Sequence, residues 1–294
     1  MSAVQRRLFC FGLGFTAQAL ARRLIVDGWR IAGTSRNPKN AADGEIALFS
    51  FNRGQPLSDA AVAALAGATH VLASIPPDDI GDVGLDGYGD IIAAAAPAWI
   101  GYLSTTGVYG DRGGALVDEN SSPRPISDRA CRRLAAEDAW VDFAAENNLP
   151  VQIFRLAGIY GPGRSALGRV RGGTAQRVDR PGQLFGRIHV DDIVKVVIAA
   201  MKKPFAGPVF NVCDDKPAEH ANVIAYACEL LGIDHLPLVP YEEAVKTMSP
   251  MAKSFWRDNR VVNNGRIKSE LGVDLSYPTY REGLRAVLQV EEGI

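Results

Sequence analysis

The spacing of apolar positions switches repeatedly between two periods from the N-terminus as far as Leu156. Short apolar runs at Leu8–Phe11, Trp29–Thr34, Ile46–Phe51, His70–Ser74, Ala98–Leu103 and Val151–Leu156 predict strands. Between them the apolar residues fall at helical spacing. Ala19, Leu20, Leu24 and Ile25 predict a helix over Gln18–Asp27, closed by Gly28. Further helices are expected at the alanine-rich Ser58–Ala66, at Tyr88–Ala96 and over the long stretch Ile126–Asn148, and Pro76-Pro77 stops the fourth strand. Strands with continuous apolar cores, alternating with helices, predict a parallel sheet covered on both faces. Right-handed crossovers make such a sheet doubly wound, and its ligands sit at the carboxyl ends of the strands.

After Gly158 the pattern changes. Gly161–Gly186 reads as a loop rich in Gly and Arg. A helix is expected at Asp191–Lys202, a strand at Val209–Val212, and helices at Ala221–Leu231, Glu242–Thr247, Asn264–Leu271 and Tyr280–Leu288. The expectation is an α/β doubly wound domain over residues 1–160 and a smaller, mostly helical substrate-binding part over 161–294, with some of its elements packing back onto the sheet. The chain is long enough for one large domain or two modest ones.

The first turn carries the chemistry. Gly12-Leu13-Gly14-Phe15-Thr16-Ala17 fits G-x-G-x-x-A, directly after the first strand and at the opening of the first helix. Gly12 suits the tight turn, Gly14 lets the backbone approach a pyrophosphate, and Ala17 allows close helix–strand packing. This makes the domain Rossmann-type, with Gly12, Gly14, Phe15 and Thr16 as cofactor-binding candidates. A carboxylate at the end of the second strand would hold the ribose 2′-hydroxyl of NAD. The strand instead ends Gly33-Thr34-Ser35-Arg36, so Ser35 and Arg36 are candidates for a 2′-phosphate, and NADP is expected rather than NAD. The plain alternative for Arg36 is a solvated loop arginine. Ser74, Ile75 and Pro76 after the fourth strand, and Leu156 closing the sixth, complete the cofactor candidates.

Composition narrows the classes. Hydrophobic residues make up 47%, charged residues 22%, and the formal net charge is −1, which argues against a nucleic-acid partner. No apolar run reaches the roughly 20 residues that span a bilayer, and no secretory signal is read at the N-terminus. Cys10, Cys131, Cys213 and Cys228 show no CxxC and read as buried, reduced thiols of a cytoplasmic protein; no metal-ligand spacing is present.

Leu103-Ser104-Thr105-Thr106-Gly107-Val108-Tyr109-Gly110 resembles the S-[ST]-x-x-V-Y-G segment of the extended short-chain dehydrogenases/reductases, the NAD-dependent epimerase/dehydratase group. Val117-Asp118-Glu119 with Pro123, Arg155–Gly163, Arg187-Ile188-His189-Val190-Asp191-Asp192, and Tyr277–Leu284 resemble further family segments in the same order. Two features depart. Extended members usually carry GxxGxxG, and the family's proton-transfer pair Tyr-x-x-x-Lys falls here on Arg129 and Arg133. No tyrosine lies between Tyr109 and Tyr160 and no lysine between Lys39 and Lys195, so the chain resembles the atypical members that lack the dyad.

The resemblance implies that Thr105 takes the place of the family's catalytic Ser/Thr and can orient a carbonyl. Arginine cannot replace the phenol as an acid or base. Arg133 is a candidate to hold the ribose, beside Thr105, and Arg129 to polarise a carbonyl or bind a carboxylate or phosphate. His189 is a candidate acid, since histidine titrates near neutrality. Thr106, Tyr109, Tyr160 and Arg187 are substrate-binding candidates; Tyr109 and Tyr160 follow the fifth and sixth strands at the ligand-binding edge of the sheet, where either phenol could donate a proton. Plain structural roles stand beside each: strand-end capping for Thr105 and Thr106, an exposed helix face for Arg129 and Arg133, a hydrogen-bonded core histidine, packing for both phenols. Asp118 and Glu119 have no identifiable partner. Arg164, Arg169, Arg171, Arg177, Arg180 and Arg187 form a basic segment able to meet an anion or to be a solvated face.

Three functions remain open on these grounds: an NADP-dependent reductase, epimerase or dehydratase acting on a polar, sugar-like or nucleotide-linked small molecule; a non-catalytic dinucleotide-binding sensor or partner-binding protein; and a dinucleotide-binding assembly factor. The resemblance also leaves room for a homodimer through the helices Tyr88–Ala96 and Ile126–Asn148.

Overall fold

The computed structural model describes residues 5–38 and 45–293. Its centre is a seven-stranded parallel sheet of β1 (Arg7–Phe11), β2 (Arg30–Ser35), β3 (Ile46–Ser50), β4 (His70–Ala73), β5 (Trp99–Thr105), β6 (Val151–Leu156) and β7 (Val209–Val212), in the order β7-β6-β5-β4-β1-β2-β3. The chain enters at β1, winds out through β2 to β3, then returns to β4 on the other side of β1. The order therefore reverses between β1 and β4, and the carboxyl ends of those two strands flank the crevice where such sheets bind ligands.

Helices α1 (Phe15–Val26), α2 (Asp59–Ala66), α3 (Val83–Ala95) and α4 (Asp128–Asn147) follow β1, β3, β4 and β5. α1 begins at Phe15, earlier than the expected Gln18, so Phe15 and Thr16 belong to its first turn. α3 begins at Val83, not Tyr88. Asp82 caps it by accepting from the Gly84 and Leu85 N–H groups, both at 3.0 Å, and Tyr88 is a kink at φ −141 inside the helix. Phe9, Phe11, Val71, Ile100, Tyr102 and Trp140 fill the core beside the sheet.

The chain divides into two compact units. The first comprises Met1–Thr105, Cys131–Arg155 and Val194–Phe210; the second comprises Thr106–Ala130, Leu156–Ile193 and Asn211–Ile294. Within the second unit, three short parallel pairs form: Gly158–Tyr160 with Arg187–His189, Arg177–Asp179 with Leu238–Pro240, and Leu116–Val117 with Val261–Val262. The segment expected as a loop, Gly161–Gly186, contains a helix at Ala166–Arg171, capped by Ser165, and the strand Arg177–Asp179. The helix Pro250–Arg257 was not expected. The closing helix Tyr280–Glu292 starts with a capping box between Thr279 and Glu282 and packs Leu284 and Val287 against Leu167, Ile224 and Ala227. Buried Asp192 accepts from the Ser276 and Tyr277 N–H groups at 2.7 and 3.0 Å, tying the His189-Val190-Asp191-Asp192 stretch to the chain before that helix.

Cys10, Cys213 and Cys228 are buried as expected, and burial pushes the Cys10 thiol up to about 12. Cys131 is exposed, contrary to expectation, because it faces outward from α4. Among the described residues no helix is long and apolar enough to cross a membrane, and no group of His, Cys, Asp and Glu could hold a metal ion.

Candidate functional site

In the first unit the β1–α1 turn is held by the neighbouring strand. Gly12 N–H donates to Thr34 Oγ1 at 2.9 Å, and Leu13 N–H donates to Thr34 O at 2.7 Å. Gly12 has φ +86, and a Cβ there would approach Ile75 Cγ1 to 2.7 Å. Glycine is thus required both by conformation and by the closeness of the residue after β4. Gly14 is different. It has an ordinary φ of −87, is exposed, and a Cβ on it would meet nothing within 4 Å. It is also the N-cap of α1, gives the helix no side-chain hydrogen bond, and the first turn carries no acidic residue. An open backbone at the positive end of a helix dipole fits a dinucleotide pyrophosphate. Ser74 and Ile75 are half-buried across the switch point, Pro76 is exposed, and Ser74 N–H donates to Phe11 O at 2.9 Å.

At the end of β2, Ser35 Oγ accepts from Asn37 N–H at 3.2 Å. Arg36 is exposed and makes no ion pair with another described residue. Asn37 and Pro38 add no carboxylate. Thr34, whose side chain and carbonyl fix the glycine turn, was missed from the sequence. A threonine opposite a glycine turn is recognisable only once the β1–β2 register is known.

The two arginines in the dyad positions have different surroundings. Arg133 is 7% exposed, not on an exposed face, and its Nη1 donates to Leu103 O at 2.6 Å and to Tyr102 Oη at 3.2 Å. One turn further along α4, Glu137 is buried and receives two hydrogen bonds from Arg155 Nε (3.2 and 3.0 Å) and one from Arg155 Nη2 (2.6 Å); Ser104 Oγ donates to its Oε1. This buried network joins β5, α4 and β6 beneath half-buried Thr105. Leu156, which closes β6, is buried. The network was missed because three charged or polar residues far apart in sequence meet only in the folded sheet.

In the second unit Arg129 is exposed, and its Cζ lies 6.0 Å from the Phe255 ring centroid. Thr106 is buried at the turn Thr106–Tyr109. Tyr109 is fully buried, and its hydroxyl donates to Asn211 Oδ1 at 2.8 Å, so it packs rather than presenting a phenol. Tyr160 is buried against Gly283, with a hydroxyl that has no hydrogen-bond partner; burial and neighbouring Asp214 push that phenol up. His189 is 2% exposed. Its Nδ1 accepts from Asp191 N–H at 3.2 Å, placing the neutral ring's proton on Nε2, and burial holds its pKa down against the opposing pull of Asp191 and Asp192. Its ring packs against Tyr160 and Tyr277.

Asp118 and Glu119 do find partners. Asp118 Oδ1 accepts from Ser121 and Asn120, while Glu119 accepts from Asn211 N–H at 2.8 Å and lies 3.9 Å from Arg266. The basic segment is mostly committed: Arg171 pairs with Glu291 and Glu292, Arg180 donates to Trp256 O, and Arg177 donates to Leu236 O. Arg187 Nη1 donates to Phe185 O (2.8 Å) and Ala218 O (3.1 Å). Desolvation pulls Arg187 down to about 10 against the opposing pull of Asp214, and Arg169 stands close enough to repel it. Among the described residues neither Arg169 nor Arg187 has a carboxylate within 4.0 Å. Asp214 itself is 3% exposed, with no hydrogen-bond partner on either oxygen, and desolvation pushes it up to about 8.

Comparison with known proteins agrees with this arrangement. A conserved protein of unknown function from Silicibacter pomeroyi DSS has a solved structure that matches with a TM-score of 0.88 and 46% identity, covering 97% of this chain and 99% of that one. The protein YeeZ of Escherichia coli strain K12 is 26% identical, covering 93% of this chain and 97% of its own length. The dTDP-glucose 4,6-dehydratase of Bacillus anthracis str. Ames, solved in complex with NAD, shares the fold at a TM-score of 0.77 and 16% identity, over 98% of this chain and 97% of that one. The model of the NAD dependent epimerase/dehydratase family matches residues 12–213, from the first glycine of the β1–α1 turn to just past β7. With the doubly wound sheet, the glycine turn and that match together, the chain belongs to the NAD dependent epimerase/dehydratase family, whose members bind NAD(H).

Proposed function

We propose that this protein is an NADP-preferring oxidoreductase or epimerase that acts on an anionic, polar small molecule, sugar-like or nucleotide-linked. The observation that carries the reading is the end of β2. Ser35 and the exposed Arg36 stand where an NAD-selective member would place a carboxylate, and a guanidinium there suits a 2′-phosphate. When bound, the nicotinamide supplies or accepts a hydride at a substrate carbon. The residues of this chain do the rest. Gly12 and Gly14 admit the pyrophosphate, and Thr105 orients a substrate oxygen. Arg129 and Arg133 add positive charge without serving as proton donors. Within the second unit, Arg169 and Arg187 are desolvated and have no carboxylate within 4.0 Å among the described residues, a local setting that suits an anion. The B. anthracis relative named for a nucleotide-linked sugar points to the same class.

The absence of a phenol in the dyad position, with Arg133 tied to the Leu103 carbonyl, favours a second reading: a dinucleotide-binding sensor without turnover. Fluorescence titration with NADPH and NADH, in the wild type and Arg36→Ala, tests the proposal. Tighter NADPH binding that falls selectively in the variant is expected. Equal affinities unaffected by the substitution would remove the NADP preference. Oxidation of bound NADPH in the presence of substrate candidates separates enzyme from sensor.

A further inference from the structure

Arg53 stands in the first unit, just past the buried Phe51 in the chain that leaves β3. Its guanidinium fork has three acceptors, all between β4 and the first turn of α3. Nε donates to Asp78 Oδ2 at 2.5 Å, and Nη2 donates to Asp86 Oδ2 at 2.8 Å and to Gly81 O at 3.1 Å. Asp78 also folds that segment into a tight turn. Its Oδ1 accepts from the Ile80 and Gly81 N–H groups at 2.9 and 3.2 Å, and its own N–H donates to Gly81 O at 3.1 Å. The hydrogen bond from Arg53 holds the Asp78 carboxyl down to about 2, so this clasp keeps its charges at neutral pH. Gly81 is required by it, since a Cβ there would come within 2.8 Å of Asp86 Oδ2.

In the sheet, β3 and β4 are separated by β1 and β2. The clasp therefore spans the carboxyl ends of the two strands that lead into the glycine turn and Arg36. Both clasped segments also touch those strand ends directly: Phe51 N–H donates to Ser35 O at 3.1 Å, and Ser74 N–H donates to Phe11 O at 2.9 Å. The same elements meet in the core through the Phe11, Phe51 and Tyr88 rings, with centroids 5.7 to 6.2 Å apart. Ile80, on the clasped turn, is 74% exposed. An apolar side chain in water is ordinary by itself. Here the turn that carries it is held in place by Arg53 and borders the crevice that suits a dinucleotide.

We propose, resting on the NADP(H) reading, that Arg53 is a positioning residue for the cofactor: its clasp makes the turn Asp78–Gly81 a ready-built wall for the adenosine half. With the pyrophosphate on the β1–α1 turn and the 2′-phosphate at Ser35 and Arg36, the adenosine lies along the ends of β1 and β2, which the clasp spans. Ile80 gives the flat base an apolar surface to cover. Because the wall is ordered before the nucleotide arrives, binding carries no cost of ordering it. Arg53 itself, its fork taken by two carboxylates and a carbonyl, does not pair with the phosphates.

5′-AMP, NADPH and NADH are the probes, titrated by calorimetry into the full chain. Arg53→Ala is expected to weaken AMP and NADPH alike, about 10-fold or about 1.4 kcal/mol, because the loss falls on the half they share. Arg53→Lys cannot reach three acceptors at once and should fall in between. Ile80→Ser leaves the clasp intact and should weaken both about 3-fold. Half-exposed ion pairs add little to folding, so nucleotide-free Arg53→Ala should unfold near the wild-type temperature. Unchanged AMP binding by Arg53→Ala, a loss for NADPH that AMP does not share, indifference of AMP to Ile80→Ser, or a wild type that binds no AMP each overturns the inference. Equal binding of NADPH and NADH by the wild type, with AMP still weakened by Arg53→Ala, would count against the proposed NADP preference alone and uphold the role of Arg53.

Discussion

Arg133 Nη1 lies 2.6 Å from the carbonyl oxygen of Leu103, two residues before Thr105 at the end of β5. The cation that stands in the place of the family's lysine therefore holds the strand end from beneath. Tyr102, whose hydroxyl meets the same Nη1, adds a ring 5.6 Å from the guanidinium. Arg133→Ala leaves the buried Leu103 carbonyl without this donor, and the expected loss is about 2 kcal/mol of unfolding free energy. Urea denaturation measures it. Arg133→Lys retains the charge but reaches fewer acceptors, so it should fall between the two. Equal stability of the alanine variant and the wild type would show that the carbonyl finds another partner.

Glu137 and Arg155 are a buried pair, 4% and 7% exposed at their side chains, with three hydrogen bonds between them. Removing one charge strands the other. Glu137→Leu should cost about 3–5 kcal/mol, whereas the double variant Glu137→Leu/Arg155→Met should be more stable than the Glu137→Leu single variant. A double-mutant cycle in guanidinium chloride measures this. Strict additivity of the two losses would show that the pair is not energetically coupled.

The alternation of strand and helix is written in local residue spacing, which is why all seven strands of the sheet could be read from the sequence, most to within a residue or two. The misses have local causes too. α3 opens among Gly81, Gly84, Gly87 and Gly89, residues that weaken a local helical signal; its start depends on the Asp82 cap and on close packing of Gly84 against the Phe11 ring. The helix Ala166–Arg171 lies in a stretch whose glycines and arginines suggest a loop. Ser249 followed by Pro250 is a local helix-start signal, and the helix it opens carries Phe255. The candidate site divides in the same way. The glycine turn and Arg36 are contiguous in sequence and could be read. The fates of Arg133, Glu137, Tyr109 and Asp214 depend on partners 18 to 102 residues away or on burial, neither of which has a local signature.

Gly12 and Gly14 make different demands on the chain. Gly12→Ala places a Cβ at a positive φ and against Ile75, so the expected result is a less stable protein, by about 1–3 kcal/mol. Gly14→Ala meets nothing within 4 Å and keeps an ordinary φ, so stability should be unchanged or slightly higher. If the pyrophosphate lies against that backbone, the new methyl stands in its way, and NADPH binding should weaken about 10-fold or more. Thermal unfolding and fluorescence titration separate the two effects. Undiminished NADPH binding by Gly14→Ala would move the pyrophosphate elsewhere.

Asp214 gives a pH dependence whose sign can be derived. Desolvation is the largest influence and raises its pKa to about 8, with Arg187 opposing and Asp215 adding to the rise. In the unfolded chain the carboxyl ionises near its ordinary value of about 3.9. Between these two pH values the folded state holds a proton that the unfolded state has released. The folded state therefore binds more protons, and stability falls as pH rises through that window. The slope from this group is at most about 1.4 kcal/mol per pH unit, and it vanishes above the folded value, where both states are ionised. Asp214→Asn removes the group while keeping its shape. The stability difference between variant and wild type should therefore change with pH: relative to the variant, the wild type should lose stability between pH 5 and pH 8. Chemical denaturation of both proteins at those two pH values provides the measurement. A difference that stays constant would mean that Asp214 is ionised in the folded protein, its charge balanced by Arg187.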